Sequence, residues 1–199
     1  MRLKSFALSV WNMVDPIYYA CTRLRCVGQD RKNSTFRVRL TSFKGRNVHL
    51  SDGSVIEKGD TLLKIHLHNV ILLKDMLSIK NEIKKGKFLY RAIEQSLPDL
   101  AVYLQHHPKI NDIKGIIGIT MLNKGVGGLG FEAIPIPNSL YKWVKYVTMI
   151  PIYFLSANQP LKHVKKQSPA YLIMSKNVLM QKYGGGGADT ALREPIRHA

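Results

Sequence analysis

The sequence predicts an α+β fold, an antiparallel β-meander packed on a long helix with further strands and a basic aromatic C-terminal helix. Three observations carry this expectation. Strand-length runs with period-two alternation and strong turn signals fill residues 36–68, helical spacing fills 70–97, and short apolar runs flank an aromatic, lysine-bearing segment after 139. At 199 residues and 45% hydrophobic composition, the chain is long enough to bury a substantial core.

The elements follow in order. Phe6, Leu8, Val10, Trp11 and Val14 form a helical stripe that Asp15-Pro16 ends or bends, and IYYACTRLR reads as a second short helix. After the polar loop GQDRKNS, FRVRLTSF alternates strictly. NVHL, SVIE and TLLKIHLH follow, separated by turns at Lys44-Gly45, Ser51-Asp52-Gly53 and Lys58-Gly59-Asp60. Leu73, Met76, Leu77, Ile79, Ile83, Tyr90, Ile93 and Leu97 give the long helix, weakest at Gly86, and Pro98 starts a further helix, DLAVYLQHH, closed by Pro108. GIIGITML and LGFEAIPI read as strands around a Gly-rich hairpin connection, SLYKWVKYVTMI as a helix, AYLIMS as a last strand and KNVLMQKYG as a closing helix. The expected organisation is one domain over residues 1–183 and a Gly-rich flexible tail over 184–199, whose composition lacks apolar periodicity.

Charge narrows the function. A formal net charge of +17, from 30 Lys and Arg against 13 Asp and Glu, favours an anionic partner. It is unevenly placed, because no acidic residue occurs from Ala133 to Ala188. The two cysteines, Cys21 and Cys26, are too few for a disulfide framework, so a reducing compartment is expected. The N-terminal residues lack the pattern of a secretory signal. The longest apolar tract, Val147 to Leu155, is about half of the roughly 20 residues a spanning helix needs and contains Pro151. The expectation is a cytoplasmic protein with no transmembrane span.

Alternation then sorts the side chains of the meander. Leu63, Ile65 and Leu67 point one way, toward the long helix, and Lys64, His66 and His68 the other; Arg37 and Arg39 share that second face, and His49 is expected there too. A metal site would require converging carboxylate, thiolate or imidazole ligands, yet the nearest acid of matching parity, Asp60, falls at a turn, and neighbouring cations repel a divalent ion. Neither a metal nor another cofactor is therefore expected. The same cations attract a phosphate or carboxylate, to which the arginines offer forked donors and His66 or His68 a hydrogen bond or a proton. Against this stands a purely structural role, with both histidines half-buried and satisfied by backbone groups and Asn69 capping the following helix.

The remaining motifs are less specific. GVGGLGF matches neither phosphate-loop pattern and precedes a strand, and no nucleophile motif is present, so no catalytic residue is assigned. His106-His107 at a helix end are expected to complement the helix dipole. Residues 139–166 interleave aromatic side chains with lysines; Tyr141, Lys142, Trp143, Lys145, Tyr146, Lys162, Lys165 and Lys166 are the candidate membrane-binding residues. A core helix with a solvated lysine edge is the competing explanation. Nucleic acid is the weaker use of this charge, because no nucleic-acid-binding fingerprint is present.

The runs LSVWNMVDPIYYACTRLR, FRVRLTSFKGRNVHLSDGSVIEKGDTLLKIHLHN, IKGIIGITMLNKG and PAYLIMSKNVLMQKYG resemble the YkoP-like family of Bacillus-type bacteria. The matching residues include Trp11, Asp15, Pro16, Arg23, Lys44, Asp52, Gly53, Asp60, Lys64, His66, His68 and Asn69. The resemblance assigns none of them a role. A similar domain occurs attached to polysaccharide deacetylase modules, which implies cell-envelope glycan or lipid metabolism and offers a polysaccharide deacetylase as a partner. The deacetylase metal-ligand motif itself is missing from this chain. Together these readings favour a non-catalytic accessory domain that binds an anionic lipid or envelope precursor at the cytoplasmic membrane face through Arg37, Arg39, Lys64, His66 and His68. The alternatives are an envelope enzyme using a His66/His68 pocket, and a nucleic-acid-binding protein.

Overall fold

The computed structural model describes residues 24–27, 35–67, 72, 75–76, 78–79, 81–121, 125–156 and 168–185, without the side chains of 150–156. Most of the two N-terminal helices, His68, Asn69, the lysines at 162, 165 and 166, and all but the first two residues of the tail lie outside the described residues.

The fold is mixed α+β, with a helix packed on a mostly antiparallel sheet. Strands β1 (Arg25–Cys26), β2 (Phe36–Ser42), β5 (Thr61–Leu67), β6 (Ile113–Thr120), β7 (Glu132–Pro135) and β8 (Ala170–Ser175) form one sheet in the order β1-β2-β5-β6-β8-β7. Strands β3 (Val48–His49) and β4 (Val55–Ile56) pair only with each other. The meander therefore runs β2 to β5, and its inner hairpin folds over the sheet instead of joining it. Among the described strands only β5 and β6 run parallel, a pairing that demands a crossover. Helix α1 (Glu82–Gln105) supplies it.

Four details depart from the sequence-based expectation. Arg25, expected as the last residue of the second short helix, is extended together with Cys26, and the two pair with Val38 and Arg37. The long helix begins at Glu82, where the Asn81 carboxamide accepts hydrogen bonds from the Ile83 and Lys84 N–H groups at 2.8 and 3.1 Å. That helix runs through Pro98 to Gln105 without a break. An interior proline costs about 3 kcal/mol, but Leu97, Leu100, Ala101 and Leu104 around it are fully buried, and tertiary packing of this kind outweighs the penalty. Finally, the Gly-rich segment is not a hairpin turn. It forms a 3-10 turn over Val126–Leu129, and β8 lies between β6 and β7.

The first sheet face carries the main core. Phe36, Val38, Leu63, Ile116 and Met174 meet the buried leucines of α1 and Leu179 of α3 (Lys176–Tyr183). Gly115 is required where β6 meets β8, because a Cβ there would lie 2.5 Å from the Met174 carbonyl oxygen.

The second face is shared. The β3–β4 hairpin covers one part, its Leu50 and Ile56, with Phe43 before it, clustering with Leu62, Ile117, Tyr171 and Ile173 of the sheet. Its turn is tied down: Ser51 donates its N–H and hydroxyl to Glu132 Oε1, both at 2.8 Å, and the Ser175 hydroxyl donates to Asp52 Oδ2 at 2.5 Å. Helix α2 (Ser139–Ser156) lies against the rest of that face through Tyr141, which packs on the same cluster.

Candidate anion-binding site

Register fixes the site. In the β2–β5 pair Arg37 stands opposite His66 and Arg39 opposite Lys64, while one step further along Thr41 faces Leu62. Directly opposed residues on one face have Cβ atoms about 4.5–5.5 Å apart. This face therefore changes character along its length: Leu62 belongs to the apolar cluster under the hairpin, and the next two pairs toward the other end are cationic and imidazole-bearing.

Helix α2 adds to this cationic end. Asn138 starts it, accepting from Tyr141 N–H at its side chain (2.8 Å) and from Lys142 N–H at its carbonyl (2.9 Å). That start aims Tyr141, and one turn later Lys145, toward β2 and β5. Lys145 Nζ lies 5.2 Å from the centre of the Tyr141 ring, a modest cation–π contact.

The electrostatics are one-sided. Burial, then Lys145 and Arg39, push the Lys64 ammonium down to about 8. Burial again, followed by Lys64, Arg39, Lys145 and Arg37, holds the His66 imidazolium down to about 3. Lys145 is lowered by burial and by Arg39, and Tyr141 is raised by burial against the opposing pull of Arg39. Lys145 and Arg39, the charges that lower Lys64, and Arg39, the charge that lowers Lys145, are all positive. Like charges placed directly opposite in a sheet are destabilising. A bound anion would relieve all of them together.

The exposure of each group suits such a ligand. Arg37 is buried, His66, Lys64 and Lys145 are half-buried, and Arg39 is exposed, so the cluster grades from the sheet interior to solvent. At neutral pH His66 is uncharged, while Arg39, Lys64 and Lys145 bring groups that can only donate. No group of three or more His, Cys, Asp and Glu side chains converges among the described residues.

The structure thus brings together Arg37, Arg39, Lys64 and His66, four of the six residues that alternation placed on this face. His68 lies outside the described residues. His49 is not part of the site, because its strand left the sheet, and it is exposed on the hairpin. Of the candidate membrane residues, Tyr141, Lys142, Lys145 and Tyr146 are half-buried and Trp143 is exposed. Lys145 was not expected as a neighbour of Lys64; its helical spacing of four from Tyr141 is the sequence signal that links them. The helix-end histidines divide: His106 is the C-cap of α1 and its Nδ1 lies 2.9 Å from the Val102 carbonyl oxygen. His107 is lowered by burial, Arg25 and Lys109, which works against the charged form the dipole would favour.

Residues 4–183 match the YkoP domain. The chain belongs to the YkoP family. It is 46% identical over 182 residues to "Uncharacterized protein YkoP" of Bacillus subtilis (strain 168), covering 91% of this chain and 98% of that relative. No solved structure matches it. The family match spans every element of the sheet and both sides of the candidate site.

Proposed function

We propose that this YkoP domain is a non-catalytic accessory module that holds the anionic headgroup of a lipid or cell-envelope precursor at the cytoplasmic membrane face. Arg39, Lys64 and Lys145 make the charged contacts, and Arg37 and His66 form the inner wall. The supporting observation is the convergence of cations from β2, β5 and α2 at a place where each described charge raises the energy of the others. Proteins violate local rules of this kind mainly at functional sites. Guanidinium forks and ammonium groups in a partly dry setting suit phosphate or carboxylate oxygens.

Further support comes from composition and shape. The net charge of +17 is complementary to an anionic leaflet. No described helix is long and apolar enough to cross a membrane, which is compatible with peripheral attachment. The resemblance to domains joined to polysaccharide deacetylase modules supports the envelope connection and such an enzyme as partner. An enzyme using His66 as general acid or base is the weaker reading. An imidazole held to about 3 is not in its acidic, charged form at neutral pH and binds a proton poorly.

The test is calorimetric titration of the full chain with dihexanoyl phosphatidic acid below its micelle concentration. Saturable binding is expected that weakens with salt and as pH rises through about 8, where Lys64 loses its charge. R39Q/K64Q should abolish it. Heat from a short DNA duplex but none from the lipid would replace this reading with the nucleic-acid one.

A further inference from the structure

Over residues 139–149, whose side chains the structure describes, helix α2 is mounted with its polarity reversed. Leu140, Trp143, Val144 and Val147 are 73%, 62%, 41% and 44% exposed. Their spacing of i, i+3, i+4 and i+7 puts them within an arc of about 100°. Tyr141, Lys142, Lys145 and Tyr146 occupy the opposite, half-buried side. A surface helix of a soluble domain ordinarily turns its apolar stripe to the core and its lysines to water. Among the described residues the other large exposed hydrophobics, Val55 and Ile83, stand singly on other elements, as scattered surface residues commonly do.

We infer that this stripe seats in the interfacial layer of an anionic bilayer, so that the helix flanking the cationic site is also its anchor and the site draws its anion from the bilayer. The choice of a bilayer rests on complementarity and area. The chain carries +17, and no acidic residue occurs between Ala133 and Ala188, so a second copy would meet its own charge across the contact. Two helical turns are also far short of the roughly 800 Å² per partner that a stable protein interface buries. An in-plane helix needs neither. Its apolar face enters the headgroup boundary by about 5–10 Å. Trp143 suits that boundary, having an apolar body and one N–H donor. A helix is about 10–12 Å across, which sets Tyr141 and Lys145 on its inner side close to the depth of lipid phosphates. The source of the anion rests on the proposed binding site; the seat of the helix does not.

Three proteins test both parts: the full chain, L140S/V144S/V147S, and R39Q/K64Q, each with vesicles of phosphatidylglycerol and phosphatidylcholine and with phosphatidylcholine alone. Flotation of the stripe variant on the anionic vesicles should fall at least tenfold, with its calorimetric affinity for inorganic phosphate unchanged. R39Q/K64Q should lose phosphate binding yet keep the membrane-induced blue shift of Trp143 fluorescence, read in a Trp11→Phe background. A stripe variant that floats like the parent, or Trp143 emission that ignores vesicles, overturns the inference. So does a dimer of the parent chain that the stripe variant cannot form. Stripe-dependent flotation by a parent chain that binds no phosphate would leave the seat standing and remove only the anion site.

Discussion

Helices α1 and α2 lie on opposite faces of the same sheet and solve opposite problems. The first buries Leu97, Leu100, Ala101 and Leu104 completely and holds its place by packing. The second turns Tyr141 and Lys145 toward the sheet and leaves four large apolar side chains in solvent. One face is thus organised for stability and the other tolerates repulsion and exposure. The lesson is that burial alone does not rank elements by importance. What α2 contributes is a charge arrangement and an outward surface.

The largest expected effect tests this contrast directly. Leu100→Ala should destabilise the domain by about 2–5 kcal/mol, the range for emptying a fully buried leucine site. Val144→Ser on α2 should stay within about 0.5 kcal/mol of the parent, as exposed substitutions do. Urea denaturation of both variants reads the difference. Comparable losses would mean that α2 is a second packing helix and that the reversed polarity has no consequence in solution.

Ligand binding gives the next effect. Inorganic phosphate should raise the melting temperature, because an anion bound only by the folded state stabilises it by mass action. Replacing Arg39 by Gln should weaken phosphate binding at least tenfold, since hydrogen bonds involving charged groups are worth about 1.5–3 kcal/mol. Without phosphate the same substitution should raise stability by relieving Lys64 and Lys145; with phosphate it should do so only if the site binds nothing. Thermal melts with and without phosphate separate the two outcomes by sign.

Lys64→Met should stabilise the unliganded protein by on the order of 1 kcal/mol at pH 7, after allowance for partial solvent screening. The sign follows from proton linkage. Lys64 falls from 10.5 to about 8 on folding, so between those values the unfolded chain binds more protons and the parent gains stability as pH rises. The advantage of methionine is therefore full below about 8 and is lost as pH approaches 10.5. Chemical denaturation at pH 7 and pH 10 measures it. An advantage that does not shrink at high pH would show that Lys64 is not strained by its charge.

Much of this was legible in the sequence, for a specific physical reason. Period-two alternation is a local property, so Arg37, Arg39, Lys64 and His66 could be assigned to one face before any pairing was known. The turn residues likewise marked the hairpin, with Gly53 at φ 81° where a positive angle is needed. Helical periodicity in α2 also groups Leu140, Trp143, Val144 and Val147, but it cannot say which side of a helix meets the sheet. The usual prior, apolar side inward, points the wrong way here. Long-range order was equally hidden. Nothing local to GIIGITML and LGFEAIPI announces that Ala170–Ser175 will lie between them, and nothing near Arg25 announces that it will pair with Val38.

The smallest expected effect concerns the two parts of the second face. Asp52 accepts hydrogen bonds from the hydroxyls of Ser175 and Ser54 at 2.5 and 2.9 Å, and from the Ser54 N–H at 3.1 Å. Burial tends to raise its carboxyl, but the hydrogen bonds from Ser175 and Ser54 prevail and hold it below the ordinary range. Such a group stabilises the fold above its unfolded value near 3.8 and ceases to do so as pH falls through the lower folded value. Asp52→Ala should therefore lose about 0.5–1 kcal/mol at pH 7 and almost nothing relative to the parent in strong acid. Its phosphate affinity should equal that of the parent, because the hairpin and the cationic end are separated along β5 by the apolar Leu62. A drop in phosphate affinity would mean that hairpin docking and the α2 side move as one unit, and that the division of this face into a packed part and a binding part is wrong.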